Sequence, residues 1–380
     1  MHPQHGTGTS CGVGPYAALN VEQTVHRYVP HRVCHPYCDD MDPLAAMISP
    51  LFLVYPPVSN RVAIWVTEDP DVEKTLRSSA LYMIATRAEA TFTPPTDHNG
   101  VLSLELTTGD TLTDGFELDC VTLAKNAEID CAPDDIIATW DPKFIALYAN
   151  ASADDIESGR AEMFEWFTAD KLIYDVGRRK PGITGLTRHR EFATYRLLYV
   201  GIAKNTDTYE RLFAGAHAKR QKILGSEDPI RAGSQITDEM FLFAWAADPL
   251  VAREIETPED YFDTHNQDWV AHYRAVIADA EKAFVSLLKP QYNEVQFTKY
   301  PKGADGLYDY RYNGHSFAIA ENYTFQGPTV SMYGSWSGFE HMAGNDADAI
   351  CIKGDSVTLY QDPTHHTTDK AATPDAHTGD

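Results

Sequence analysis

Long apolar runs are missing from this 380-residue chain. The apolar stretch from Ile48 to Tyr55 is interrupted by Pro50, and nothing approaches the roughly 18–20 uninterrupted residues of a membrane-spanning helix, so a membrane partner is not expected. The opening MHPQHGTGTS has neither a basic n-region nor an apolar h-region, which predicts a cytoplasmic protein. Cysteine is also scarce. The six thiols, Cys11, Cys34, Cys38, Cys120, Cys131 and Cys351, show no disulfide framework of regular spacing and are read as free. Four soft ligands do cluster at His31, Cys34, His35 and Cys38, but no second Cys/His pair follows to complete a zinc site. An exposed loop is therefore preferred there, with a zinc-dependent binding module as a minor alternative. Basic residues are few: 31 Lys and Arg stand against 55 Asp and Glu, for a net charge of −24. Spread evenly, that charge would argue against a phosphate-bearing partner.

What is present is organised unevenly. Residues 1–60 are rich in Pro, Gly and His and predict an extended N-terminal arm. Residues 61–169 predict an α/β module: VAIWV as a strand, DVEKTLRSSALYMIATRAEA as a helix, VLSLELTTGD and FELDCVTL as strands, and a helix from Ser152 to Phe167. A core module follows over 170–303, opening with KLIYDV as a strand. Residues 304–360 alternate β-formers with turn residues and predict a β-rich module of hairpins, and 361–380 should be a disordered tail in which His365 and His366 are solvated. The fold class expected is α+β.

Two stretches of the core module carry chemistry. In LLYVGIAKNTDTYERLFAGAHAKRQKIL an apolar strand ends at Tyr199-Val200-Gly201, a polar turn follows, and a basic helix starts near Asp207 or Thr208. In DWVAHYRAVIADAEKAFVSLLKPQYN a long helix stops at Lys289-Pro290 ahead of Tyr292-Asn293. Val270, Tyr273, Ile277, Ala280, Phe284 and Leu287 form its apolar stripe, and Glu281 falls beside that stripe. A partly desolvated carboxylate must be paired, protonated or bound to a metal. Arg274 and Lys282 are the local pairing alternatives. The other residues have bland readings too: Tyr174 and Tyr199 as strand tyrosines, Arg211 as a surface arginine, His217 as a solvated histidine, Asn293 as a helix terminator.

Taken in order, YVGIAKN with Arg211, then Glu281 and KPQYN ending at Asn293, resemble the GIY-YIG nuclease superfamily over about residues 171–303. The resemblance implies a small antiparallel sheet flanked by helices, with the GIY strand at Leu172-Ile173-Tyr174 and Tyr195 a rival for its tyrosine. RRKPGITGLTRHREFATY would then be an insertion between two adjacent strands. It further implies metal-dependent hydrolysis of phosphodiester bonds by a DNA endonuclease. Glu281 would hold one Mg²⁺ or Mn²⁺, Arg211 would neutralise phosphate charge, and Tyr174 or Tyr199 would activate water. Asn293 would orient Glu281 or the backbone presenting it. Arg211 and His217 lie about 120° apart on an ideal helix, so a bulge at Gly215 is required for both to face one site.

Charge favours the same segment. Residues 171–222 hold twelve basic and four acidic residues, a surplus of eight that leaves −32 for the remainder. Lys204, Lys219, Arg220 and Lys222 are the candidate nucleic-acid contacts. The acidic flanking modules suggest a protein partner or a restraint on bulk DNA. The competing class is a catalytically degenerate interaction module on the same core.

Overall fold

The computed structural model describes residues 45–66, 68–109, 112–204, 206–214, 217–253, 272–310 and 312–366. Its centre is an 11-stranded mixed sheet. Across it, in spatial order, run Ser331–Tyr333, Thr324–Gln326, Thr194–Ile202, Leu81–Thr86, Met240–Ala247, Ala45–Leu53, Gly314–Ile319, Ala349–Lys353 and Ser356–Tyr360. Leu250–Arg253 pairs with Ala45–Leu53, and Val58–Ser59 with Met240–Ala247. The α+β class expected from sequence holds. Strands enter this one sheet from 61–169, 170–303 and 304–360 alike, so the boundaries drawn from composition run through it.

Several local expectations are corrected. Ala45–Leu53, expected in an extended arm, is an interior strand, parallel to Gly314–Ile319 and antiparallel to two others. Its Pro50 lies where the antiparallel partner changes, between Ile48 opposite Leu250 and Leu51 opposite Ala247, so the missing amide is tolerated. Ala63–Val66 is a helical turn rather than a strand. The long helix expected over 71–90 is a short helix, Pro70–Arg77, capped by Asp69, followed by the strand Leu81–Thr86. All six residues of that strand are buried, so it has no amphipathic alternation to distinguish it from a buried helix. KLIYDV is the reverse case: Ala169–Gly177 is a helix opened by the Thr168 cap. The helix expected from Ser152 to Phe167 is confined to Ala153–Glu157, and Met163–Phe167 is a strand. Within the stretch 304–360 expected to form hairpins, Tyr308–Tyr310 is a short 3₁₀ turn. The His31–Cys38 cluster and His366's side chain lie outside the described residues.

Leu81–Thr86 and Thr194–Ile202 are adjacent antiparallel strands. The described residues of the chain between them, 87–193, form a five-stranded and a three-stranded sheet with helices. One side of the pair packs on Val72, Leu76, Tyr209, Leu212, Phe213 and Ile223. The main core on the other side includes Ile277, Ala280 and Phe284 from the helix Tyr273–Leu288. Buried Asp279 anchors that helix by accepting from Tyr300 Oη at 2.7 Å and the Leu307 amide at 3.0 Å, with His315 Nε2 at 2.9 Å. Glu281, two residues on, points about 200° round the helix from that anchor.

Candidate active site

The strand Thr194–Ile202 carries a β-bulge. Leu197 pairs with Ala85 and Tyr199 with Ile84, leaving Leu198 as the extra residue. Without it, Tyr195, Leu197 and Tyr199 would share a face. With it, Tyr195 and Leu197 enter the main core, while Leu198 and Tyr199 turn to the opposite face, where Tyr82 sits. Beyond Arg196 the outer edge of this strand loses its partner strand, since Thr324–Gln326 pairs only with Thr194 to Arg196. The KPQYN segment fills the gap. The Tyr292 amide donates to Leu198 O at 3.0 Å. Asn293 brackets Val200, its Oδ1 accepting from the Val200 amide at 2.9 Å and its Nδ2 donating to the Val200 carbonyl at 2.8 Å. Asn293 therefore orients the backbone that presents Tyr199, whereas the sequence reading gave it the Glu281 side of the site.

Tyr82 is the residue that sequence reading missed. It is fully buried, and its ring centroid is 6.0 Å from that of Tyr199. Arg211 Nε donates to its hydroxyl oxygen at 2.8 Å, and His217 Nε2 lies 2.9 Å from the same atom. The tautomer follows from the other ring nitrogen: His217 Nδ1 accepts from the Arg220 amide at 2.9 Å, capping the helix Ala218–Leu224. Burial, then the charges of Arg211, Arg220 and Lys219, lower the His217 pKa to about 4. The imidazole is thus neutral near pH 7 and its remaining proton is on Nε2, donated to Tyr82. Two donors converge on one phenol oxygen. Arg211 lies on the π-type turn Tyr209–Ala214 and His217 is the N-cap of the next helix, so the two reach the oxygen from separate elements; Gly215, where a bulge was expected, lies outside the described residues.

Burial raises the Tyr82 pKa above the usual tyrosine range, with the Tyr199 hydroxyl adding to the shift and Arg211 opposing it. Tyr199 is also raised, by burial and then by the charge of Glu281. Glu281 is half-buried and, among the described residues, makes no hydrogen bond or ion pair. Its pKa is raised to about 7, first by burial; Asp305 adds to the rise, and Lys204, Arg211 and Lys282 oppose it. Lys282, a local pairing alternative, instead joins Lys204 on Asp305. Among the described residues no group of three or more His, Cys, Asp and Glu is placed to hold a metal ion. A cation here would have Glu281 as a single carboxylate ligand, which suits a hydrated Mg²⁺ or Mn²⁺ that keeps several waters.

Tyr174 is not part of this cluster. It is buried on the helix Ala169–Gly177 with the Arg178 guanidinium 5.5 Å from its ring centroid. Nor is its rival Tyr195, whose hydroxyl donates to Asp170 in the core at 2.8 Å. The surplus of basic charge is also largely spent. Eight of the twelve cations in 171–222 pair with carboxylates: Lys171 and Lys180 with Glu165 and Asp175, Arg178 with Glu321, Arg188 with Glu191, Arg196 with Glu227, Lys204 with Asp305, and Lys219 and Lys222 with Glu294. Five of those acids lie outside the segment, so the surplus of eight falls to three. Arg220 is engaged by Asn60 and the Leu212 carbonyl. Of the four residues expected to contact nucleic acid, Lys204, Lys219 and Lys222 are therefore already paired.

Comparison of the chain with protein-family models, curated proteins and solved structures finds no match. No helix among the described residues is long and apolar enough to cross a membrane.

Proposed function

We propose that the cluster of Tyr82, Tyr199, Arg211, His217 and Glu281 hydrolyses phosphodiester bonds in nucleic acid, as a DNA endonuclease resembling the GIY-YIG superfamily. The observation that carries this reading is the phenol oxygen of Tyr82, held by donors from Arg211 and neutral His217 across the strand from Tyr-x-Gly. In this reading Leu81-Tyr82, not Leu172-Ile173-Tyr174, fills the place of the GIY strand. Tyr82 is fully buried and stays a neutral phenol, so its oxygen positions Arg211 and His217, while the half-buried Tyr199 beside it is the tyrosine that can orient an attacking water. The Arg211 guanidinium can also face the phosphate, where charge grows during displacement. Glu281 would hold the divalent ion, whose chemistry is Lewis-acid stabilisation of phosphate and leaving oxygens. Asn293 keeps the Tyr199 strand in place.

The pairing of eight basic residues with carboxylates favours a second reading, an interaction module that retains the cluster without turnover. One assay separates the two. The full chain is incubated with Mg²⁺ or Mn²⁺ on supercoiled plasmid, single-stranded DNA and RNA, beside Tyr82→Phe and Glu281→Ala. Cleavage by the wild type, lost in both variants, is expected. Cleavage that persists in both would overturn the assignment, and a wild type inert on all substrates would favour the interaction module.

A further inference from the structure

The four cations of 171–222 without a carboxylate partner among the described residues fall in two places. Arg211 and Arg220 flank His217. Arg179 and Arg190 line a separate open cleft of about 620 Å³, near the other end of the Tyr199 strand. We propose that this cleft binds a nucleotide, meaning a flat heteroaromatic ring joined to a phosphate.

The cleft is built from ordered parts. The Arg190 guanidinium lies 3.7 Å from the Tyr333 ring centroid and donates through Nη1 to Asn322 Oδ1 at 3.0 Å. The His365 ring stacks on Tyr333 at 3.9 Å, so this tyrosine supports the arginine and has no face left for a ligand. Arg190 Nε donates to Tyr333 Oη at 2.8 Å and its Nη2 is covered, so Arg190 gives the cleft a fixed positive charge with no counter-ion among the described residues rather than a free fork. The Arg179 guanidinium reaches the loop at Gly338, within 4.0 Å of where a side chain there would begin, and is exposed. Free aromatic surface comes from the same loop. Trp336 is fixed by its Nε1 donating to the Phe339 carbonyl at 2.8 Å and has the Arg178 guanidinium 5.0 Å from its ring centroid, so the free ring on the lining is that of Phe339, 74% exposed.

The exposed Phe339 ring beside the exposed Arg179 guanidinium, with the charge of Arg190 behind them, matches the two halves of a nucleotide. A base stacks on the ring whatever its sequence, and an arginine fork matches phosphate oxygens. The volume suits one such unit, lying within the range of small-molecule sites. Asp346, also on the lining, repels phosphate from its side of the cleft and offers an acceptor to an exocyclic amine. A free mononucleotide and the terminal nucleotide of a strand share this chemistry. The inference does not depend on catalysis at Tyr82.

The test is calorimetric titration of the full chain in EDTA, which suppresses metal-dependent cleavage. The probes are adenosine 5′-monophosphate, adenosine, ribose 5-phosphate and a 5′-phosphorylated single-stranded tetranucleotide. Binding of the monophosphate about tenfold tighter than of adenosine or ribose 5-phosphate is expected. Phe339→Ala and Arg179→Gln, both at exposed side chains, should each weaken it at least fivefold, while Glu281→Gln leaves it unchanged. A tetranucleotide that binds tighter than the monophosphate, with the same loss in both variants, identifies a strand terminus as the occupant; the reverse order identifies a free nucleotide. Absence of binding by every probe, or binding indifferent to both variants, overturns the proposal. Loss of binding in Glu281→Gln also overturns it, by placing the ligand at the other cluster.

Discussion

Gly201 lies directly opposite Tyr82 in the antiparallel pair, and a Cβ at position 201 would fall 2.7 Å from the Tyr82 hydroxyl oxygen and 2.7 Å from the Tyr199 ring. The glycine of Tyr-Val-Gly is thus required by two tyrosine rings that share one face, with no positive φ involved. Gly201→Ala should displace Tyr82 from its two donors, costing about 1–3 kcal/mol through overpacking. Urea unfolding measures the stability loss. Nuclease activity, where present, should fall much further than stability, and an alanine variant with wild-type stability and activity would refute this packing account.

The two tyrosines that compete for the role can be separated by removing one oxygen at a time. Tyr82→Phe takes away the acceptor shared by Arg211 and His217, leaving a buried imidazole N–H unpaired at a cost of roughly 1–3 kcal/mol. Tyr174→Phe changes a hydroxyl remote from Arg211 and His217. Activity at least a hundredfold lower in the first variant, and within about twofold of wild type in the second, is expected. The opposite ranking would return the role to Tyr174.

How much of this was legible in the residues depends on what each signal measures. Tyr-Val-Gly, Arg211, Glu281 and Asn293 stood out because they lie in short patterns in a fixed order, and His217 was named although its spacing from Arg211 did not fit one helix face. Tyr82 was hidden for two reasons. Its strand is buried on both faces and follows a short helix with only Ser78, Ser79 and Ala80 between, so hydrophobic periodicity reads the two as one helix. Its partner strand begins only at Thr194, beyond an insertion with two sheets of its own. The bulge at Leu198 was equally invisible, since a period-two reading places Tyr195 and Tyr199 on one face. The charge surplus misled because segment arithmetic counts neighbours in sequence, whereas Glu321, Asp305 and Glu294 meet their lysines and arginines through the fold.

Asn293 stands in for a missing β-strand. Its amide satisfies both backbone groups of Val200 at a place where the sheet edge has no other partner. Asn293→Leu would leave a buried N–H and C=O unpaired and should cost about 2–4 kcal/mol. Asn293→Asp keeps the acceptor but loses the donor and sets a carboxylate against the Val200 carbonyl, so it should be no better than half-restored. Hydrogen exchange at Val200 reports the event directly: protection should fall in both variants, and unchanged protection would show that another group holds this edge.

The pKa of His217 sets a pH dependence with a definite sign. Its folded pKa of about 4 is below the ordinary value of 6.5, so the unfolded chain binds the proton more readily. The contribution is fully present above pH 6.5 and is lost as pH falls through the interval down to about 4. Allowing for solvent screening, roughly 1–2 kcal/mol is involved. His217→Gln, which retains a donor for Tyr82 but does not titrate, should flatten the stability profile over that interval. A profile in the variant as steep as in the wild type would assign the acid sensitivity elsewhere.

Salt dependence tests how much of the basic segment is free to meet phosphate. Each phosphate neutralised adds about −0.9 to the slope of log K against log salt on duplex DNA. Twelve free cations would give a slope of about −11, whereas the carboxylate pairing leaves four, of which Arg211 and Arg220 are at the Tyr82 cluster. Arg220 is held by Asn60 and Leu212, so Arg211 is the main contributor there. A slope between about −1 and −4 is therefore expected for Glu281→Ala, the variant in which the proposed cleavage is removed, on duplex DNA. Glu294→Gln should steepen it, because Lys219 and Lys222 lose the carboxylate that now occupies them. A slope of about −11 in the Glu281→Ala protein, or one unmoved by adding Glu294→Gln, would mean that the ion pairs open when DNA arrives and that the counted surplus, not the paired one, governs binding.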